Sequence, residues 1–250
     1  MARLEDLVAY CDERLRRPEI PDFPGAWNGL QVQNNGKVTR IGASVDAGLV
    51  PFQMAAKAGV NFLIVHHGLY WDAPWAVVGR HHRKLQALWE SNCAVYGAHL
   101  PLDCHPEIGN NAKLAQAIHC TPDRWFLPHE GVPIGLIADP CGDRASLTER
   151  LRKEFPRVTA MEFGNATPER IAILTGSGAS AVDVLRKEGI DTLITGELRQ
   201  HHFNLAQELE LNLYCCGHYA TETYGVQALA EELAVNFDLP WEFLSTDCPL

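Results

Sequence analysis

The chain has 250 residues, of which 31 are acidic and 21 are Lys or Arg, giving a formal net charge of -10; 46% are hydrophobic and 21% charged. This is the composition of a globular protein with a sizeable core, in one large domain or two small ones. The acidic balance disfavours nucleic acid and anionic membrane as partners, and no run of about 18 apolar residues marks a membrane span.

Residues 2–16 place Leu4, Leu7, Val8, Cys11 and Leu15 at helical spacing. The start therefore reads as an amphipathic helix and not a signal peptide, and a cytoplasmic location is expected. The eight cysteines are scattered and form no CxxC pair, so they read as small buried residues and not as a zinc ribbon or a redox motif. Residues 21–36, rich in Pro, Gly and Asn, predict a loop holding the patch Trp27-Asn28-Gly29-Leu30-Gln31-Val32. A strand over 40–46, a helix over 51–59 and a continuous apolar strand over 61–65 follow. Directly after that strand come His66-His67-Gly68, then Tyr70, Trp71 and Trp75 in a loop. A helix over 80–91 and a strand over 93–97 lead to His99 and Asp103, and a helix starts near Asn110-Asn111.

Pro122, Pro128 and Pro133 suggest a domain boundary, which sets one α/β domain over 1–125 plus 220–250 and a second over 126–219. In the second, strands are expected over 131–139, 158–163 and 170–174. A helix over 146–155 carries a capping-box pattern at Ser146 and Glu149. Thr175-Gly176-Ser177-Gly178 reads as a tight strand–helix turn, before a helix over 181–188 and a strand over 191–195 that runs into Gly196-Glu197. A helix over 201–209 precedes the stretch 211–222, an apolar strand and a glycine break. A last helix over 221–233 and a strand over 241–244 close the chain. Strand and helix alternate almost throughout, so the fold class is α/β with largely parallel or mixed sheets.

Three predicted strands end in side chains of the metal-binding type. They lead to His66-His67, to His99 and Asp103, and to His218 and Glu222, and parallel α/β sheets bind ligands at that end. His218 and Glu222 stand four residues apart, one helical turn, where an imidazole and a carboxylate share a cation. Neighbours on a regular strand point to opposite faces, so His66 and His67 serve one site only where the strand breaks, at Gly68. Three of these His with the two carboxylates already exceed the needs of one four-coordinate zinc and suit two metals. Without thiolate, the set fits iron, zinc, manganese, cobalt or nickel. His99, Glu197 and His201 are candidates for proton transfer or substrate contact. His81-His82 reads as a solvated helix start.

The segments Ile64-Val65-His66-His67-Gly68-Leu69-Tyr70-Trp71, Gly97-Ala98-His99-Leu100-Pro101-Leu102-Asp103 and Gly217-His218-Tyr219-Ala220-Thr221-Glu222, with Thr195-Gly196-Glu197, resemble the YbgI-type, Nif-three-like family. Its members are often called GTP cyclohydrolase type 2 homologues. The chain departs from the usual pattern at Gly68-Leu69, where the family has His-Pro, and in a more polar stretch over 104–111. The resemblance implies two α/β domains, a ring-shaped homohexamer and two divalent metals per chain on His66, His67, Asp103, His218 and Glu222. The function expected is that of a metal-dependent hydrolase acting on a small molecule, a nucleotide or related cyclic amide or phosphoester. The alternative is a non-enzymatic metal-handling or adaptor protein working as a ring-shaped oligomer, since a ligand set implies binding and not catalysis.

Overall fold

The structure is a computed structural model and describes residues 1–71, 75–140 and 142–250. In chain order the strands of its two main sheets are β1 (Gly29–Val32), β2 (Ile41–Asp46), β3 (Phe62–His67), β4 (Ala94–Gly97), β5 (Thr121–His129), β6 (Val132–Asp139), β7 (Thr159–Glu162), β8 (Ile171–Ser177), β9 (Thr192–Glu197), β10 (Asn212–Cys215) and β11 (Trp241–Phe243). The helices are α1 (Leu4–Arg14), α2 (Leu49–Ala58), α3 (Gly79–Glu90), α4 (Leu100–Asp103), α5 (Asn110–Ala117), α6 (Arg144–Glu154), α7 (Ala179–Val182), α8 (His202–Glu208), α9 (His218–Thr221) and α10 (Thr223–Phe237).

The chain forms two compact units, Met1–Leu102 with Gly225–Asp247 and Asp103–Tyr224 with Cys248–Leu250. The division read from sequence, at 125/126 and 219/220, differs from this. A cut at 125/126 would split β5 in its middle. It would also remove Leu114, Ala115, Ile118 and Cys120 from the core they share with Leu136, Ile173 and Tyr214.

The first unit is built on a five-stranded sheet in the order β11-β2-β3-β4-β1. The pairs β11/β2, β2/β3 and β3/β4 are parallel, and β1 runs antiparallel to β4. The apolar stretches of β2, β3 and β4 are buried along their length, the pattern of interior parallel strands. Phe52 of α2 and Leu85 and Leu88 of α3 pack with Leu63, Val65 and Val95. Burying each such side chain stabilises the fold by roughly 1.5–3 kcal/mol.

The second unit has a six-stranded mixed sheet, β5-β6-β8-β9-β10-β7. Its centre, β8/β9/β10, is parallel, and the flanking pairs are antiparallel. The mixed α/β class is as expected. No helix among the described residues is long and apolar enough to cross a membrane.

Several elements differ from the sequence reading. The patch over 29–32 is strand β1 and not loop, because an antiparallel partner in β4 satisfies its backbone. The proline-rich segment is a β5–β6 hairpin, turning at Glu130 and Gly131, both with positive φ. Pro122 and Pro128 are tolerated there because β5 is an edge strand. Helix α6 starts two residues early, because the Asp143 carboxylate accepts the Ser146 N–H and caps it. The helix expected over 181–188 breaks into α7 and a 3-10 turn at Arg186–Glu188, which ends at Gly189 with φ +70°. Of the cysteines, Cys11, Cys93, Cys120 and Cys216 are buried, whereas Cys104, Cys215 and Cys248 are only partly so. Cys141 lies outside the described residues, as do residues 72–74 of the loop after the paired histidines.

Candidate metal centre

In the first unit three parallel strands deliver imidazoles and carboxylates at one end. Asp46 ends β2 in register with His67 of β3, and Val65 pairs with Gly97, two residues before His99. His66 is fully buried and His67 half-buried, with ring centroids 4.9 Å apart at 51°. The strand breaks at Gly68 as the residue type requires. A Cβ there would lie 2.0 Å from the Gln31 side-chain nitrogen, and Gln31 Oε1 accepts the Leu69 N–H at 2.7 Å. Gln31 thus clamps the turn that lets both rings serve one side.

Each of the three imidazoles has its Nδ1 on an oxygen acceptor. His66 Nδ1 lies 2.8 Å from the Ala98 carbonyl, His67 Nδ1 2.9 Å from Asp46 Oδ1, and His99 Nδ1 2.8 Å from Asp22 Oδ1. A carbonyl or carboxylate oxygen only accepts, so Nδ1 carries the proton in each case. That makes Nε2 the basic nitrogen, able to take a metal or a proton, the arrangement in which an outer oxygen fixes the tautomer of a ligating histidine. One potential ligand atom from each of His66, His67 and His99 falls within 4.8 Å of the others. Donors sharing one ion at bonds of about 2.1 Å stand roughly 3–4 Å apart, so these separations need close by no more than about 2 Å. Trp71 meets the His99 ring edge-on at 4.6 Å between centroids.

Asp22 carries no signal in the sequence, yet it organises this corner. Its carboxylate also accepts the Asn28 amide and the backbone N–H groups of Phe23 and Leu100. Burial alone would raise its pKa, but the bonds from His99, Asn28 and Phe23 hold it below the ordinary carboxylate range. It is therefore an anion at neutral pH and keeps the His99 proton on Nδ1. Asp22→Asn and Asp46→Asn are each expected to weaken metal binding or turnover about 10–100-fold, the usual effect of losing an outer-sphere carboxylate. Metal affinity and rate constants measured on the two variants check this.

The second unit repeats the placement. Glu197 ends β9 and His218 follows β10 across Cys216 and Gly217, while β8 lies parallel beside them. His218 Nε2 stands 3.2 Å from Glu222 Oε1 one turn on, and His218 Nδ1 stands 3.2 Å from Glu197 Oε1. Glu222 is buried and Glu197 exposed. The β8–β9 register slips between Leu174 and Ser177, so Thr175 and Gly176 bulge out. Gly176 has φ +66°, and a Cβ on it would lie 2.2 Å from Glu222 Oε1 and 3.2 Å from His218 Nε2. The glycine turn thus lies against the donor pair. Asp103 is buried, accepts from Asn110 at 2.7 Å, and has Thr175 Oγ1 at 3.5 Å. Asn111 holds the same corner, accepting the Thr175 N–H and donating to the Ile134 carbonyl. These asparagines close the polar stretch 104–111 and open α5, where the sequence reads only as a helix start and a departure from the family pattern. His201 is exposed at the start of α8 with its ring 4.1 Å from that of His202, whose Nδ1 lies 3.0 Å from the Arg199 backbone.

Burial would lower the His218 pKa, but Glu222 and Glu197 overcome it and lift it to about 9. Because the folded value lies above the ordinary one, this pairing stabilises the metal-free protein fully below pH ~6.5 and is lost as pH rises through ~9. A ligating imidazole must be unprotonated, so metal loading at pH 7.5 is expected to release close to one proton from His218. Calorimetry in buffers of different ionisation enthalpy measures that proton; none released would contradict the assignment.

Buried imidazole and carboxylate donors, with outer acceptors and a glycine where a Cβ would intrude, fit divalent metal, and a donor set with no thiolate among the described residues suits the borderline and harder ions. The family model Duf34/NIF3 (NGG1p interacting factor 3) matches residues 3–249. A Deinococcus radiodurans protein called GTP cyclohydrolase 1 type 2 homolog is 37% identical over 245 residues, covering 96% of this chain and 92% of that one. The crystal structure of TTHA1606 from Thermus thermophilus is similar with a TM-score of 0.88 at 36% identity, covering 99% of this chain and all of the other. A structure described as protein ybgI, of unknown function, is similar with a TM-score of 0.91 at 31% identity and the same coverage. Strand-end histidines, the glycine-backed His–Glu pair and end-to-end similarity lead to one assignment: the chain belongs to the Duf34/NIF3 (NGG1p interacting factor 3) family.

Proposed function

We propose that this protein binds two divalent metal ions through His66, His67, Asp103, His218 and Glu222, and uses them to hydrolyse a nucleotide or a related cyclic amide or phosphoester. The observation that supports this most is the set of three imidazoles whose Nδ1 atoms are all held by oxygen acceptors. The name that several relatives share, GTP cyclohydrolase 1 type 2 homolog, suggests the substrate class. A homohexamer is part of the proposal, and light scattering on the purified protein tests it.

Bound there, divalent ions supply Lewis acidity toward a substrate oxygen and lower the pKa of water. The chain's own residues do the rest. His99, its Nδ1–H fixed on Asp22, presents Nε2 as a proton acceptor or as a further donor to the centre. Glu197, whose side chain is 56% exposed, holds His218 and reaches solvent, so it can take or pass a proton at its carboxylate. Trp71 against His99 shields that imidazole from water on one face. His201, exposed just before α8, is a substrate contact in this scheme.

Metal-loaded wild type is expected to turn over GTP or a member of a panel of nucleotides, cyclic amides and phosphoesters. His99→Gln and Glu197→Gln should lower kcat by about 100-fold or more at saturating metal, the range of general acid–base catalysis. Loaded protein that turns over nothing in the panel would overturn the hydrolase reading and favour metal handling.

A further inference from the structure

Beside Glu197, and wholly within the second unit, lies a cavity of about 470 Å³. Its wall includes Arg157, Arg199, Phe203, Glu197 and Cys215. In a chain of net charge -10, two exposed arginines converge on one cavity, and neither makes an ion pair among the described residues. Unsatisfied guanidinium groups facing a concave surface suit phosphate oxygens, which they bind through paired charge-assisted hydrogen bonds. Phe203 offers a second, independent feature. Its ring is 44% exposed yet braced by Phe163, with centroids 5.4 Å apart at 82°. A fixed, exposed aromatic ring is a stacking platform for a planar heterocycle. Cys215 is no nucleophile here, since burial pushes its thiol up to about 11.

We infer that this cavity is the substrate-recognition site and takes a phosphorylated planar heterocycle, with phosphate on Arg157 and Arg199 and the ring on Phe203. Glu197 belongs both to the cavity wall and to the His218 pair, so a ligand held there presents its far end to the donor groups. The inference deepens the metal-hydrolase reading and rests on it only for the chemistry next to Glu197. Arginine–phosphate contacts do not need the metals, so the site binds ligand in metal-stripped protein.

The test is calorimetric titration of full-length, chelator-stripped protein with GTP, guanosine and inorganic pyrophosphate. GTP and pyrophosphate should bind, and guanosine more weakly than GTP. Arg157→Ser and Arg199→Ser should each weaken GTP about tenfold or more, the loss expected for a charged hydrogen bond. Phe203→Ala should weaken GTP about fivefold or more and leave pyrophosphate unchanged, since only the base stacks. All three side chains are exposed, so the melting temperature and metal content of the variants should match wild type. No binding of GTP or pyrophosphate, or affinities indifferent to both arginines, would overturn the inference whatever the metal analysis gives. Arginine-dependent binding in a protein that takes up no metal would instead overturn the hydrolase reading and leave this site standing.

Discussion

His66→Ala and Glu222→Gln are each expected to lower divalent-metal affinity by at least about 100-fold, the upper end of what loss of an outer-sphere partner costs. His66 is fully buried at the end of β3, with its Nδ1–H on the Ala98 carbonyl, so no other tautomer is available to it. Removing the imidazole deletes a donor that the sheet itself positions. Glu222 is 3% exposed and pairs with His218 one turn earlier. Glu222→Gln keeps its shape and removes its charge, so the change separates ligation from packing. A buried hydrogen-bonding group is worth roughly 1–3 kcal/mol, well below the usual stability of a domain. Both variants should therefore fold, and circular dichroism beside a metal titration checks the two effects separately. Wild-type affinity in either variant would remove that residue from the centre.

Gly176→Ala is expected to act on the same centre through the backbone. A methyl group at this position would lie 2.2 Å from Glu222 Oε1, and the residue already sits at φ +66°. An L-residue held there loses roughly 1–2 kcal/mol, and the carboxylate must move as well. The variant should melt lower and bind metal about tenfold or more weakly, as for a displaced outer partner. Gly189→Ala, also at positive φ (+70°) but with nothing within 4 Å of its added Cβ, is the control. It should share the loss of stability and keep full metal affinity. Equal metal affinity in wild type and Gly176→Ala would contradict the close packing of the glycine turn on the donor pair.

Much of this is legible in the residues because parallel α/β sheets concentrate donors at strand ends. Runs such as Phe62–Val65, closed by His66-His67, declare both the strand and its donor-bearing end. His218 and Glu222 are readable from their one-turn spacing only together with their place after a strand, where two other clusters also stand. Asp22 and Asp46 are not. Asp46 ends a strand just as His67 does, and that position is its only signal, whereas Asp22 reaches His99 across 77 residues of chain. Asn110 and Asn111 read as a helix start, because nothing local tells a buried amide that holds Asp103 from an exposed cap. The β5–β6 hairpin is hidden by its prolines, whose tolerance depends on β5 being an edge strand, a tertiary property. The first change between units is hidden for the same reason: α5 belongs with the later sheet through Leu114 and Ile118, not through its place in the chain.

The most direct test is elemental analysis of protein purified without added metal or chelator, beside the His67→Ala, Glu222→Ala double variant. The account predicts about two divalent ions per chain in wild type and loss of them in the variant, with the fold retained. No bound metal, even after reconstitution with iron, zinc or manganese, would contradict it.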